Sequence, residues 1–352
     1  MFLSGIGTAA PSARWTQTQC WDALVSSNYL PTLAPRSQAI LRKVLRGNNG
    51  ICSRHLAFEH LGEAFEFDPD VLDARFAKHA PAVASDAALR ALADAGVEPA
   101  EIDAVIISTC TGYLCPGLTS YVTERLGLRT NILALDLVGQ GCGAALPNMR
   151  AGEALIASGR ASRVLSICVE ICSAAMYLDD DPGVLISACL FGDGAGAAIL
   201  TADPVPGQRR IEWKSAGTLM NAADREELRF ERRRGMLRNI LTPAVPVIAG
   251  KHVGQVLSDG LAQTGISRDQ ITGWILHAGG REILAAIREQ VGLSEDDTRW
   301  SAAVLRDYGN VSSPCVYFVL RAALDEQARG GYWWMSSFGA GFSCHGTLLD
   351  VE

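Results

Sequence analysis

The sequence predicts an α/β protein made of two duplicated halves, with covered sheets and buried helices between them. Three observations lead to this prediction: long apolar runs typical of strands, helix-like segments rich in small residues, and an internal repeat. Apolar strands without polar alternation are typical of sheets covered on both faces. Of the 352 residues, 48% are hydrophobic and 20% charged, which suits a large buried core and excludes wholesale disorder.

The repeat begins with two strand-like runs, IDAVIISTCTG at 102–112 and ITGWILHAGG at 271–280. Each run is followed by a helix-like stretch that closes on a similar tripeptide, LGL at 126–128 or VGL at 291–293. The two segments therefore predict the same strand–helix unit in each half.

A dipeptide then opens a second helix-like segment in each half, Gly-Cys ending at Cys142 and Gly-Asn ending at Asn310. Each segment has an early proline, Pro147 or Pro314, which costs little because the first helical N–H groups lack intrahelical partners. Strand-like runs follow, then a matching pair of motifs, FGDG and FGAG. The turn-rich stretch DPVPGQ at 203–208 separates the halves, so we predict an N-terminal half, 1–205, and a C-terminal half, 206–352.

Two related halves packed about a pseudo-twofold axis bring equivalent positions together. Cys142 and Asn310 are equivalent in the repeat, and His277 ends a strand just before Asn310. We therefore expect a cysteine, a histidine and an asparagine to converge. A helix N-terminus and an imidazole both lower a thiol pKa, and the N–H groups of Gly141 and Gly143 suit an oxyanion.

Such a thiolate is a nucleophile suited to a thioester. His277 and Asn310 can also donate hydrogen bonds to the enolate oxygen that forms when a malonyl thioester loses carbon dioxide. The resulting carbanion would attack an acyl group on Cys142. Taken singly, a cysteine in an apolar run is usually core, a histidine after a strand is usually structural, and Gly-Asn is usually a turn. Only their common placement by the repeat favours catalysis.

Five motifs give the chain a family resemblance: QGCGAAL around Cys142, ILHAGG around His277, YGNVSSPCV around Asn310, LFGDGAGAAI around Phe191, and FGAGF from Phe338. The sequence resembles the type III polyketide synthases, the chalcone synthase-like enzymes, nearly end to end. The resemblance implies a thiolase-like αβαβα layered fold made of two duplicated halves, and a homodimer. It also implies iterative condensation of malonyl-CoA onto an acyl-CoA starter, without a carrier protein, a bound metal or an organic cofactor.

By the same resemblance, Cys142 accepts the acyl group, and His277 and Asn310 form the decarboxylation and oxyanion pair. Phe191 would be the gatekeeping aromatic between the CoA tunnel and the cavity. Its apolar surroundings would favour release of neutral carbon dioxide from the malonyl carboxylate. The remaining predicted pocket residues are Cys110, Cys115, Ala175, Ser312 and Phe338.

The chain departs from the plant pattern at several positions. No second gatekeeping aromatic occurs near Asn239, and Ala278 replaces a proline. Ala175 and Cys110 stand where plant members carry threonines, and Cys115 stands where a methionine crosses the dimer interface. These changes favour bacterial members that take fatty acyl starters and make alkylpyrones or alkylresorcinols.

CoA phosphates need local cations, because 31 basic against 38 acidic residues give the chain a net charge of −7. That balance offers no general attraction for nucleic acid. The segment RSQAILRKVLRGNNGICSR at 36–54 provides the predicted CoA-binding residues, with a solvated basic helix as the alternative: Arg42, Lys43, Arg46 and Arg54. A second basic cluster at 229–238 is interleaved with glutamates and reads as a mostly solvated face.

No apolar run is long enough for a membrane span, and the first residues have no signal-peptide pattern. The ten cysteines are scattered without a CxxC pair, which favours a reduced, cytoplasmic protein. Three alternatives remain at this point. One is a priming-type β-ketoacyl synthase that performs a single condensation, another a non-catalytic subunit that binds acyl-CoA, and the third a metal or redox protein built on the cysteines.

Overall fold

The structure is a computed structural model that describes residues 1–352. The strands are β1 (Phe2–Ala9), β2 (Arg14–Thr16), β3 (Ser53–His55), β4 (Ala104–Thr109), β5 (Leu133–Val138), β6 (Arg163–Glu170), β7 (Gly194–Thr201), β8 (Ile211–Met220), β9 (Leu228–Arg233), β10 (Met236–Leu241), β11 (Ile271–Leu276), β12 (Gly331–Gly339) and β13 (Ser343–Val351). The α-helices are α1 (Gln17–Ser26), α2 (Pro35–Arg46), α3 (Pro69–Ala95), α4 (Leu118–Leu126), α5 (Ala145–Ala157), α6 (Pro182–Leu190), α7 (Val245–Thr264), α8 (Arg281–Val291), α9 (Arg299–Tyr308) and α10 (Cys315–Asp325).

Nine strands form one mixed sheet in the order β11-β12-β13-β8-β1-β7-β6-β4-β5. Strands β1 and β8 meet at its centre through a single pair, Phe2 with Glu212. Outward from this junction, β1-β7-β6-β4 and β8-β13-β12-β11 show the same sequence of antiparallel, antiparallel and parallel pairings. The predicted duplication is therefore confirmed. The predicted boundary at 205/206 falls in the loop between β7 and β8 and stays a prediction.

The helices occupy three layers around the two parts of the sheet. Helices α3 and α4 pack outside β1, β7, β6 and β4. Helix α7 packs outside β8, β12 and β13, and α8 packs against α7. Helices α5 and α10 contact strands of both parts and form the middle layer. This arrangement is the predicted αβαβα layering.

Small residues allow these layers to approach closely. A side chain at Gly7 of β1 would place its Cβ 2.1 Å from the Ala87 carbonyl oxygen of α3. At Gly152 of α5 it would lie 2.6 Å from Leu200 of β7. Strand β7 is buried along its whole length, which explains why its sequence lacks polar alternation.

The beginnings of the two middle helices differ. Cys142 lies in a 3-10 turn, Gly141–Gly143, directly before α5, as predicted. Pro314 caps α10, but Asn310 lies several residues before that helix, in a loop that forms a β-bridge with Phe191. The two equivalent positions in the repeat therefore have different local structures.

All ten cysteines are free thiols. No helix is both long and apolar enough to cross a membrane. Cytoplasmic location stays a prediction.

Candidate active site

The Cys142 thiol is almost completely buried, with 9% of the residue exposed. Its Sγ lies 3.2 Å from the Ser312 hydroxyl, and its side chain packs against Phe191 and Cys172. The glycines on either side of Cys142 pack closely against the neighbouring backbone. A Cβ on Gly143 would lie only 3.1 Å from the backbone nitrogen of Gly339. The 3-10 turn is thus held against the end of β12.

Ser312 connects the thiol to a buried carboxylate. Its hydroxyl lies 3.5 Å from Glu170 Oε1, and the Ser313 hydroxyl donates to the same oxygen at 2.6 Å. Glu170 also accepts from the backbone N–H of Cys110 and the hydroxyl of Thr111. Ser312 has a left-handed φ of +57°, a strained conformation for a residue with a side chain.

Glu170 was not among the residues predicted from the sequence. Burial raises the pKa of its carboxyl group, while the surrounding donors lower it. A signal was available, because Glu170 ends a mostly apolar run, VLSICVE, in which a buried charge needs partners. Without the fold those partners could not be named.

His277 follows β11 and is 1% exposed. Its backbone N–H donates to the Ser336 carbonyl, which fixes it beside β12. The imidazole meets the edge of the Phe338 ring at a centroid distance of 4.9 Å, and Nδ1 has no hydrogen-bond partner. Phe338, predicted as a pocket residue, therefore orients the histidine.

Asn310 holds two loops together. Its side-chain oxygen accepts from the Ser312 N–H at 2.9 Å, and Nδ2 donates to the Gly279 carbonyl at 3.0 Å. An amide nitrogen has two N–H groups. One N–H of Asn310 is therefore left for a substrate oxygen.

The structure connects the three predicted catalytic residues by short contacts. Cys142 touches Ser312, Ser312 is bonded to Asn310, and Asn310 is bonded to Gly279, two residues beyond His277. No hydrogen bond joins the Cys142 thiol to the His277 imidazole. Cys142 and Asn310 are thus linked through Ser312, whereas the structure holds only the loop after His277 against Asn310 and shows no thiol–imidazole pair.

The protonation states differ from the sequence-based expectation of a lowered thiol pKa. Burial raises the pKa of Cys142 to about 12, although the Ser312 hydrogen bond opposes this shift, and Glu170 raises it further. Burial lowers the pKa of His277 to about 3. Both groups are therefore neutral at pH 7, because desolvation penalises each charged form.

A cavity of about 410 Å³ lies beside the Cys142 thiol, since Ser312 and Phe191, which contact this thiol, line it. Cys142, His277 and Asn310 are not themselves among its lining residues. Eight of its twelve lining residues are hydrophobic, among them the predicted pocket residues Ala175 and Phe191, and Ser312 supplies a hydroxyl. Two residues of the β9–β10 hairpin, Phe230 and Asn239, complete one wall. An aromatic side chain, Phe230, therefore does line the cavity, on the strand opposite Asn239.

The other predicted pocket residues lie around the cluster. Cys110 follows β4, and its Sγ lies 3.2 Å from Glu170 and 3.8 Å from the Ser312 hydroxyl. Cys115 is exposed and does not line the cavity. No group of three or more histidine, cysteine or acidic side chains is arranged to hold a metal ion.

The predicted CoA-binding residues fall into two groups. Arg42, Lys43 and Arg46 are exposed on α2 and form no ion pair. Arg54 is 3% exposed, and its Nη1 donates to the carbonyls of Ala188 and Phe191. The prediction for Arg54 is therefore wrong, because its guanidinium holds the end of α6 and does not reach the surface.

Two family models match the chain. Residues 26–220 match the model of the family described as FAE1/Type III polyketide synthase-like protein, and residues 225–350 match the chalcone and stilbene synthases, C-terminal domain. The chain belongs to the type III polyketide synthases. It is accordingly an acyltransferase that condenses acyl-CoA substrates.

Individual relatives show the same relationship over the whole chain. A 3,5-dihydroxyphenylacetyl-CoA synthase from Amycolatopsis balhimycina is 30% identical, over 99% of this chain and 92% of that protein. An enzyme of the same name from Streptomyces toyocaensis is 29% identical, over 99% and 89%.

Solved structures of this family superpose closely. The crystal structure of PKS-I from the brown alga Ectocarpus siliculosus has a TM-score of 0.89 at 25% identity, covering 99% of this chain and 98% of that one. The 1,3,6,8-tetrahydroxynaphthalene synthase from Streptomyces coelicolor A3(2) has a TM-score of 0.88 at 21% identity, covering 100% and 99%. At 21% identity, the similarity to the Streptomyces coelicolor enzyme shows only a shared fold.

Proposed function

We propose that this synthase loads an acyl-CoA starter on Cys142 and extends it iteratively with malonyl-CoA, using His277 and Asn310 at the carbonyl oxygens. The observation that supports this assignment is a chain of contacts that runs from the buried Cys142 thiol through Ser312 to the Asn310 amide and the loop after His277. Ser312 and Phe191, which both contact Cys142, line the apolar cavity beside it. Exposed Arg42, Lys43 and Arg46 would bind the phosphates of CoA. The reaction uses CoA thioesters only and needs no other cofactor.

In the loading step, the neutral His277 imidazole takes the thiol proton of Cys142. Sγ attacks the thioester carbonyl, the bond from that carbon to the CoA sulfur breaks, and the CoA thiolate leaves with the proton from His277. In extension, malonyl-CoA loses carbon dioxide, and the electron pair of the broken bond becomes an enolate. Hydrogen bonds from His277 and the free N–H of Asn310 stabilise the enolate oxygen. The enolate carbon attacks the acyl carbonyl, the bond from that carbon to Sγ breaks, and the departing Cys142 thiolate takes a proton from water. The extended CoA thioester can then load on Cys142 for the next round.

For the starter, we propose a fatty acyl group, and for the products alkylpyrones or alkylresorcinols. A second cavity of about 460 Å³ lies behind the first, and 14 of its 15 lining residues are hydrophobic. Met176 and Ala188 line both cavities and form the partition between them. An alkyl tail that passes this partition would be removed from water at a gain of about 0.8 kcal/mol per methylene.

A second candidate follows from the relatives named 3,5-dihydroxyphenylacetyl-CoA synthase. The eight carbons of the dihydroxyphenylacetyl group correspond to four two-carbon units, so a product of this kind needs no alkyl starter. The Ala188 variant described below separates the two candidates, because a malonyl-derived chain would not enter the second cavity.

We also propose a homodimer. Strand β5 is the edge of the nine-stranded sheet and has an apolar sequence, LALDLV, that is mostly exposed. An edge strand presents unpaired N–H and C=O groups, and natural proteins normally protect such edges. Pairing of two copies of β5 would cover this surface.

A product profile tests the function directly. The purified protein is incubated with malonyl-CoA and a panel of short, long and aromatic acyl-CoAs, and the extracts are analysed by mass spectrometry. Cys142→Ala should abolish both acyl-enzyme and product, whereas Cys52→Ala, a control at an exposed cysteine, should retain both. An acyl group retained on the Cys142→Ala protein would refute the nucleophile.

The same profile distinguishes the remaining alternatives. A product with one extension, or a requirement for a carrier protein, would indicate a priming-type β-ketoacyl synthase. Failure of the wild-type protein to load any acyl group would indicate a non-catalytic subunit.

A larger side chain at position 188, between the two cavities, tests whether the starter is a fatty acyl group. Ala188→Phe should reduce turnover with a sixteen-carbon starter by about 100-fold or more, since small misplacements of a reacting chain are costly. A six-carbon starter in the same variant is the internal control and should be little affected. Equal loss with both starters would contradict entry of the tail into the second cavity.

A further inference from the structure

One wall of the active-site cavity does not belong to the main sheet. Strands β9 and β10 form a separate two-stranded sheet, in which Phe230 and Asn239 are directly opposite each other and both line the cavity. An isolated two-stranded hairpin is only marginally stable in water. Its position over the cavity therefore depends on contacts with the rest of the protein.

Arg238 of β10 makes the most buried ion pairs of this hairpin. Its side chain is 11% exposed and contacts three carboxylates, each through a different nitrogen. Nη1 lies 2.6 Å from Glu231 on the opposite strand, Nε lies 2.8 Å from Asp179, and Nη2 lies 3.2 Å from Asp181. A planar guanidinium held on three sides has one orientation, and its burial is compensated by the surrounding charges.

Two of these carboxylates belong to the segment that leads into α6. Asp181 caps this helix, since its Oδ1 accepts from the Gly183 N–H at 2.8 Å while its Oδ2 faces Arg238. Helix α6 contributes Val184, Ser187 and Ala188 to the cavity and ends directly before Phe191, which packs against Cys142. Arg238 thus joins two adjoining walls of one cavity.

The backbones of these walls are in direct contact. A Cβ on Gly183 would lie 2.3 Å from the Leu241 carbonyl oxygen, so β10 lies against the first turn of α6. The Leu241 side chain packs against the cluster of Cys142, Cys172 and Phe191. The end of β10 beside the nucleophile is therefore held by apolar packing that does not involve Arg238.

We propose that Arg238 is a positioning residue that determines the width of the cavity, and hence the range of starters and the number of extensions. It does so by holding the β9–β10 hairpin against α6. Arg238 does not line the cavity and acts only through Phe230, Asn239 and α6. This inference rests on the proposed condensing activity.

The test compares three full-length variants with the wild type on the acyl-CoA panel. Arg238→Met removes the charge and keeps an apolar stem, and Arg238→Lys keeps the charge but cannot bridge three carboxylates. Arg232→Met is the matched control, because Arg232 is exposed on the same hairpin and forms no ion pair. The readouts are product distribution, KM and kcat for each starter, and acylation of Cys142 by a short starter.

For Arg238→Met we expect a broader distribution of chain lengths and a change of about tenfold in the KM of the longest starter, as a wall shifted by less than 1 Å would give. Acylation by the short starter should stay within about twofold of wild type, since nothing in that step needs the full cavity. The chain-length distribution and the KM of Arg238→Lys should lie between those of Arg238→Met and the wild type. Arg232→Met should match the wild type.

A uniform fall in kcat with unchanged ratios between starters would show a merely structural role and overturn the inference. An unchanged profile in a folded Arg238→Met protein would overturn it as well. If that variant does not fold, Arg238→Lys decides, and a wild-type profile there refutes the proposal. Absence of condensation in the wild-type protein would instead contradict the proposed function.

Discussion

At the scale of single residues, burial determines the chemistry of the nucleophile. Cys142 and His277 lie in surroundings that penalise ions, so the pKa of the thiol is raised and that of the imidazole lowered. The thiolate would then form only when a substrate is present to receive it. A buried neutral thiol also reacts slowly with other electrophiles.

This state predicts how Cys142 reacts with iodoacetamide in the absence of substrate. With a pKa of about 12, the thiolate fraction and hence the alkylation rate should rise about tenfold per unit between pH 7 and pH 10. The rate is measured for the Cys142 peptide by mass spectrometry, with exposed Cys52 in the same digest as reference. A rate that is constant above pH 6 would reveal a thiolate–imidazolium pair instead.

His277 should also affect stability at acidic pH. Its pKa is about 3 in the folded protein and 6.5 ordinarily, so between these values the unfolded chain binds a proton that the native protein does not. Its contribution to stability is therefore complete above pH 6.5 and is lost as the pH falls towards 3. Relative to His277→Gln, the wild type should lose up to about 1.4 kcal/mol per pH unit below 6.5.

Denaturant unfolding of both proteins at pH 7.5, 6 and 5 measures this difference. Glu170 and Asp193, buried acids whose pKa values are raised, are present in both proteins and cancel. A constant difference across the three pH values would mean that His277 is not neutral in the folded state.

At the scale of elements, the site is assembled from the ends of helices and strands. Helix α6 begins after the Asp181 cap and ends directly before Phe191, while α5 begins three residues after Cys142. The exact position of these ends places the cavity residues, so capping interactions contribute to function as well as to stability.

The cap of α6 can be separated from the ion pair with Arg238. Asp181→Asn keeps an acceptor for the Gly183 N–H but removes the charge, whereas Asp181→Ala removes both. Asp181→Ala should therefore be about 1 kcal/mol less stable than Asp181→Asn in denaturant unfolding, the usual cost of a lost cap. Equal stability of the two variants would show that the cap contributes nothing.

At the scale of the whole molecule, the nine-stranded sheet has an exposed apolar edge at β5. Leu135 and Val138 on this edge are 38% and 61% exposed. Most other strands of the sheet are covered by helices, so this edge is the feature of the surface that best suits a second copy of the chain.

Leu135→Lys should shift the proposed dimer towards monomer, because it places like charges on an edge where two copies would meet. Light scattering after size-exclusion chromatography measures the mass. Val247→Lys, at a residue 72% exposed on α7, is the matched control and should leave the mass unchanged. A dimer of unchanged stability in Leu135→Lys, or a wild-type monomer, would contradict the proposed interface.

The sequence by itself determined the family, the duplication and the residues expected at its chemical centre. Strand-like runs, helix-ending glycines and early prolines depend on local physics and can be read without a structure, as the turn at Cys142 and the strand before His277 show. The repeat also predicted that Cys142 and Asn310, which are far apart in the chain, lie close together in the fold.

Only the tertiary structure determined the surroundings of the site residues. Residues far apart in the chain bury Glu170, enclose Arg54 and keep the Cys142 thiol neutral. They also place three carboxylates around Arg238. Burial and charge pairing depend on three-dimensional neighbours, and these determine protonation states and cavity walls. For that reason the basic cluster at 229–238 reads as a solvated face in the sequence, although it contains the arginine that joins two walls of the site.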